Sequence, residues 1–220
     1  MTVHRVSNFG DFFSALEEIG SDGVVYRGVK QTTYELIPKL GRMEIIGGNV
    51  FRTEKILLKL FKDYSRPYLK HIPQNDLEWL ALAQHHGLPT RLLDWTRNPL
   101  VAAYFAVHEE FDGDSLIYCY RKAMIINVFE GESPFEIKRF GFIFPAHLTN
   151  RITAQAGLFS IHHIPNEALM NNNVLKIVIT KNFRGKMKKQ LSRFGINHST
   201  IFPDLDGLST YLTWLHTKIH

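Results

Sequence analysis

The chain has 220 residues with 45% hydrophobic content and a formal charge of +5. A chain this long buries roughly 70% of its unfolded surface, so its core needs no disulfide or metal staple, and the lone Cys119 fits a reducing compartment. No run reaches the roughly 20 apolar residues of a membrane span, and the start MTVHRVSNFG has no apolar stretch of signal length, so a cytoplasmic globular protein without membrane contact is expected.

Residues 8–20 predict an amphipathic helix, with Phe12, Phe13, Leu16 and Ile19 on one side and Gly20 as its stop. Gly23-Val24-Val25-Tyr26 reads as a strand feeding Arg27-Gly28. Ile56, Leu57, Leu60, Phe61 and Tyr64 repeat at helical spacing over 50–65. Asn75 caps the next helix, and Glu78 completes a capping box. Gly87 and Pro89 end it. Residues 90–96 read as a compact polar loop. Asn98-Pro99 then restarts a helix, with Leu100, Ala103, Tyr104 and Val107 on its apolar side.

From Ser115 the pattern shortens. Leu116–Tyr120, Ile125–Phe129, Gly157–Ile161 and Val174–Thr180 read as strands. A basic helix over 183–194 ends at Gly195, and a last helix covers roughly 205–218. Helices come first and most strands later. That order predicts an α+β fold, with N-terminal helices packed on a mainly antiparallel sheet.

Four clusters concentrate polar chemistry. In Tyr26-Arg27-Gly28, a guanidinium fork suits phosphate or carboxylate, and Gly28 permits close approach of a ligand or a positive φ. The weighed alternative is an arginine paired with an internal acid. In QHHGLPTRLLDWTRNP, from Gln84, the residues His85 and His86 point about 100° apart on a helix and cannot hold one metal together. Asp94 can orient Arg91 or Arg97, and Trp95 offers a flat face. An internal salt bridge is the alternative there. Arg151 and Gln155 form the third cluster, and residues 195–207 the fourth, where Asp204 is a helix cap. Lys181, Arg184, Lys186, Lys188, Lys189 and Arg193 lie close together without an acid between them, either a nucleic-acid contact or a solvated helix face. No phosphate-cradling loop, metalloprotease helix or zinc-type cysteine pairing is present in the sequence, and no metal site is expected.

These clusters, in this order, resemble the FRG domain family. The resemblance rests on Tyr26-Arg27-Gly28, on AQHHGLPTRLLDWT (Ala83–Thr96) with NPLVAAYFA, on RITAQAGLF (Arg151–Phe159) and on GINHSTIFPDLDGL (Gly195–Leu208). It implies one FRG-type domain over 1–220, of a kind found in bacteria and phage, some members looking like parts of defence or toxin modules. The aromatic-Arg-Gly strand end also resembles the first motif of arginine-type ADP-ribosyltransferases, and Tyr104-Phe105-Ala106 is similar to their nicotinamide-side segment. A clear Ser-Thr-Ser stretch and the Glu-x-Glu or Gln-x-Glu that precedes a late strand in those enzymes are not found, so their stabilising glutamate is unassigned.

Two readings follow. In the first, the protein acts on NAD as substrate, by ADP-ribosyl transfer or glycohydrolysis. That reading, motivated by the density of convergent polar groups and the Arg-Gly motif, assigns binding to Arg27, Gly28, His85, Thr90, Arg91, Trp95, Tyr104 and Arg151, with Asp94, His86 and Gln155 as catalytic candidates. In the second, the protein is a non-catalytic module for nucleic acid or a protein partner, using the Lys181–Arg193 run. A metal-dependent nuclease stands third, because the histidine spacing does not organise ligands.

Overall fold

The computed structural model describes residues 2–126, 133–144 and 153–217. In chain order the elements are β1 (Val3–Val6), α1 (Phe9–Ile19), β2 (Val25–Val29), α2 (Val50–Ser65), α3 (Asp76–His85), β3 (Leu92–Thr96), α4 (Pro99–Val107) and β4 (Ser115–Tyr120). Then follow β5 (Gly141–Ile143), β6 (Gly157–Ile161), β7 (Val174–Ile179), α5 (Lys181–Arg193), α6 (His198–Ile201) and α7 (Leu205–His216). The fold is α+β, and short 3-10 turns cover 40–42 and 66–68.

Helix starts follow local capping chemistry. The side chains of Asn8, Asn75, Asn98 and Asp204 accept from backbone N–H groups of the first turns of α1, α3, α4 and α7. Glu78 reaches one residue beyond the expected box: its carboxylate accepts from the Gln74 N–H at 2.7 Å and from the Asn75 side-chain amide at 3.0 Å.

The seven strands form one sheet in the order β1-β7-β4-β2-β3-β6-β5. Among the paired strands of the described residues, only β1–β7 is parallel. Four elements escaped the sequence reading: β1, β5, α6 and, most consequentially, β3, which takes residues 92–96 out of the expected polar loop. The stretch holds in the sheet because Leu92, Leu93, Trp95 and Thr96 are all buried, with Asp94 alone exposed among them. Of the strand expected at 125–129, Ile125 bridges Phe142 and Ile126 donates to the Phe142 carbonyl. Residues 127–129 lie outside the described residues.

Two apolar clusters share one face of the sheet. The first joins Tyr26, Ile117, Cys119 and Ile177 to α1, α4 and α5. The second joins Leu92, Phe159, Ile161 and Ile143 to α2 and α3. On the opposite face a single cluster runs across both halves, from Val25, Leu116 and Tyr118 to Leu93, Trp95, Leu158 and Phe142. The sheet therefore has a continuous back and a divided front.

Candidate functional site

The front divides where β2 meets β3. These strands share one residue pair, Tyr26 with Thr96, whereas β2 pairs with β4 along its whole length from Val25 to Val29. Beyond that bridge they part, and a cleft of about 720 Å³ opens in the gap. Arg27, Lys30, Asp94, Gln155 and Gly157 line it from the sheet side. Gln84, His85 and His86 come from the end of α3, and Phe105, His108 and Glu109 from the end of α4.

Arg27 bridges the gap. A continued ladder would pair the Asp94 carbonyl with β2; instead that oxygen accepts from Arg27 Nη1 at 2.7 Å. Nη1 also lies 3.7 Å from Asp94 Oδ2. The Arg27 side chain is 19% exposed, and its Nε has no hydrogen-bond partner. Burial lowers its pKa, and the charge of Asp94 opposes that shift. Nε is thus a buried donor of a type that suits an anion.

Asp94 is 58% exposed and held from a second side. The Thr90 hydroxyl donates to Gln84 Oε1 at 2.7 Å, and Gln84 Nε2 donates to Asp94 Oδ2 at 2.9 Å. This relay fixes one carboxylate oxygen and leaves the group reachable from the cleft. Lys30 pairs with Glu109 at 2.6 Å further along the wall, which holds the Glu109 carboxyl below its ordinary range.

Gly28 has a packing role. A Cβ there would lie 1.8 Å from the Ala102 carbonyl oxygen and 2.7 Å from the Ala106 nitrogen. The glycine lets α4 lie directly on β2, which sets the helix as a cleft wall. It takes no positive φ.

Arg27, Gly28, His85, His86, Asp94 and Gln155 therefore meet around one hollow. Gln155 also donates to the Ile201 carbonyl at 3.2 Å. Three expected binders, Arg91, Thr90 and Tyr104, do not line the hollow, and Trp95 lines it with its indole turned away. Arg91 is 1% exposed and clamped by Glu54, with Nη2–Oε2 at 2.6 Å and Nε–Oε2 at 2.9 Å. It also donates to the Pro134 carbonyl at 3.2 Å and packs on Phe135. This is the internal salt bridge weighed for residues 84–99, with the distant Glu54 in place of Asp94. Thr90 is sealed: its hydroxyl donates to Gln84 and accepts from the Leu92 N–H at 3.1 Å. The indole of Trp95 points to the back face, donating to Ser160 Oγ at 2.9 Å and packing edge-on to Phe142. Tyr104 is buried against His198, away from the cleft. Arg151 lies outside the described residues.

The basic run divides as well. Arg184 turns inward onto the Glu109 carbonyl at 2.7 Å and also donates to the Phe111 carbonyl; Lys188 donates to the His108 carbonyl at 2.7 Å. Lys181 pairs with Asp112. Lys186, Lys189 and Arg193 are exposed on α5. Among the described residues no group of three His, Cys, Asp or Glu side chains is placed to hold a metal, and no helix is long and apolar enough to cross a membrane.

Sequence reasoning missed Gln84, Lys30, His108 and Glu109. A signal existed for Lys30, which follows Gly28 at the strand period of two. None existed for the Glu109 partnership, which depends on where α4 ends relative to β2.

A mixed sheet parted at one strand boundary, with an arginine across the gap and a steered carboxylate beside it, defines an α+β protein with a polar cleft. The chain contains an FRG domain: the FRG domain family model matches residues 22–115, from the turn before β2 to the start of β4. That stretch supplies Arg27, Gln84 and Asp94, whereas Gln155 and residues 195–208 lie beyond it. No curated protein and no solved structure matches the chain.

Proposed function

We propose that the cleft binds NAD or a closely related nucleotide and that the protein cleaves or transfers at its glycosidic carbon, an ADP-ribosyltransferase-like activity suited to a bacterial or phage defence or toxin module. The observation that carries this reading is Arg27, a desolvated guanidinium with an unsatisfied Nε at the parting of two strands. Arg27 takes the phosphates, with Arg42 at the same wall adding positive charge. Asp94, steered by Gln84, faces the positive charge that develops as the bond from C1′ to the nicotinamide nitrogen breaks. The electron pair leaves with nicotinamide. Water or an acceptor nucleophile then bonds to C1′ and loses its proton, for which His86 at the exposed rim is the nearby base. Gln155 and His85 serve as hydrogen-bonding groups for ribose or amide.

The test is nicotinamide release from NAD by the purified protein, alone and with nucleic-acid or protein acceptors. Release that disappears in Arg27→Ala and Asp94→Asn supports the reading. Absence of both turnover and saturable NAD binding in the wild-type protein overturns it.

A non-catalytic nucleic-acid module is favoured by one observation, the exposed Lys186, Lys189 and Arg193 at helical spacing on α5. It predicts salt-dependent binding to DNA or RNA that weakens when these three are neutralised and is indifferent to Arg27→Ala.

A further inference from the structure

A second pocket, of about 140 Å³, lies between α4, α5, α6 and α7. We propose that it binds a small monocyclic aromatic carboxylate, independently of what occupies the main cleft. Size limits the ligand first: an apolar cavity of about 150 Å³ accommodates benzene, so this one takes a single six-membered ring. The walls are aromatic. Tyr211 and Trp214 are stacked at 6.2 Å on α7. Opposite them, Tyr104 stacks on His108 at 5.2 Å, and its hydroxyl is fixed 2.7 Å from His198 Nδ1. These contacts hold the rings in place before any ligand arrives.

Charge limits the ligand next. Lys188 carries the one ammonium among the described lining residues. Its side chain is 17% exposed, and Nζ lies 5.4 Å from the Trp214 ring centre. One of its three donors goes to the His108 carbonyl, and Glu110 stands 3.9 Å away at the exposed edge. An ammonium in such a place rejects cationic ligands, and a carboxylate is a strong partner for its remaining donors. A ring carrying an acid group satisfies both halves of the pocket. His108 lines this pocket and the main cleft alike, so the two sites share a wall.

The experiment is calorimetric titration of the full chain with sodium benzoate and with benzyl alcohol. We expect saturable benzoate binding at least about tenfold tighter than that of the alcohol, a difference typical of one charge-assisted hydrogen bond. Lys188→Met should abolish the preference and Lys188→Arg should retain it. Thr210→Trp, which fills the pocket from an exposed position on α7, should abolish binding while leaving the circular dichroism spectrum unchanged. Absence of saturable benzoate binding overturns the proposal. So does equal affinity for acid and alcohol, or benzoate binding that survives Thr210→Trp. The arginine and tryptophan variants decide the matter even if Lys188→Met does not fold.

Discussion

Arg27 Nη1 donates to the Asp94 carbonyl at 2.7 Å, across the gap where the β2–β3 ladder stops. One side chain thus closes a break in the backbone network and keeps Nε for another partner. Arg27→Ala is expected to weaken NAD binding roughly 10- to 100-fold, the worth of a charge-assisted hydrogen bond. Arg27→Lys should restore only part, because an ammonium cannot reach two acceptors in a fixed fork. Titration calorimetry of the three proteins checks this.

Asp94→Asn should separate binding from turnover. The amide keeps the shape and a partner for Gln84, but it offers no negative charge to the breaking bond. Nicotinamide release should fall about 100-fold, in the range seen when a preorganised electrostatic contact is lost, with NAD affinity little changed. Comparable losses in both would assign Asp94 to binding alone.

Gly28→Ala should damage the fold. Its methyl would meet the Ala102 carbonyl oxygen at 1.8 Å, a backbone atom that moves only if α4 moves. A loss of about 3 kcal/mol in urea unfolding is expected from such overpacking. An alanine variant of wild-type stability would show that α4 can lift off β2 freely.

Glu54→Ala should cost roughly 3–5 kcal/mol, because it strands the buried Arg91 guanidinium. Replacing both partners, Glu54→Leu with Arg91→Met, should recover much of that loss and leave NAD binding intact. Thermal unfolding combined with ligand titration distinguishes this structural pair from Arg27.

His162 should give the protein a pH-dependent stability. It is buried, 2.9 Å from Ser160 Oγ, and burial together with the nearby Arg27 charge pulls its pKa down to about 4. The unfolded chain takes up this proton near 6.5, before the folded one does. Its effect is therefore absent above pH 6.5, grows as pH falls towards 4, and levels off below. About 3 kcal/mol of stability is lost across that window. In His162→Gln this component of the slope should vanish, as measured by urea unfolding at a series of pH values.

The legible parts of this molecule are the local ones. Asn75, Asn98 and Asp204 announce helix starts because each side chain bonds to backbone within three residues. The two arginines show where such reading stops. Arg27 and Arg91 look equally fit to bind an anion, yet one lines a cleft and the other is sealed, and the difference lies in Glu54, 37 positions away. Tyr104 is likewise removed from the cleft by His198, 94 positions further on. Strand β3 was hidden because both of its faces are covered, so Leu92 and Leu93 show no alternation around Asp94. The glycine of Tyr26-Arg27-Gly28 was legible as special, but its reason belongs to a helix that begins at Pro99.

The Tyr26–Thr96 bridge is a seam. On either side of it the front of the molecule packs as its own block, and the two blocks are joined mainly through the shared layer behind. A guest lodged in the seam touches both blocks at once and acts as a mortar between them. Occupancy should therefore slow amide exchange in α3 and α4 together, and an empty seam should let the two helices exchange at unrelated rates.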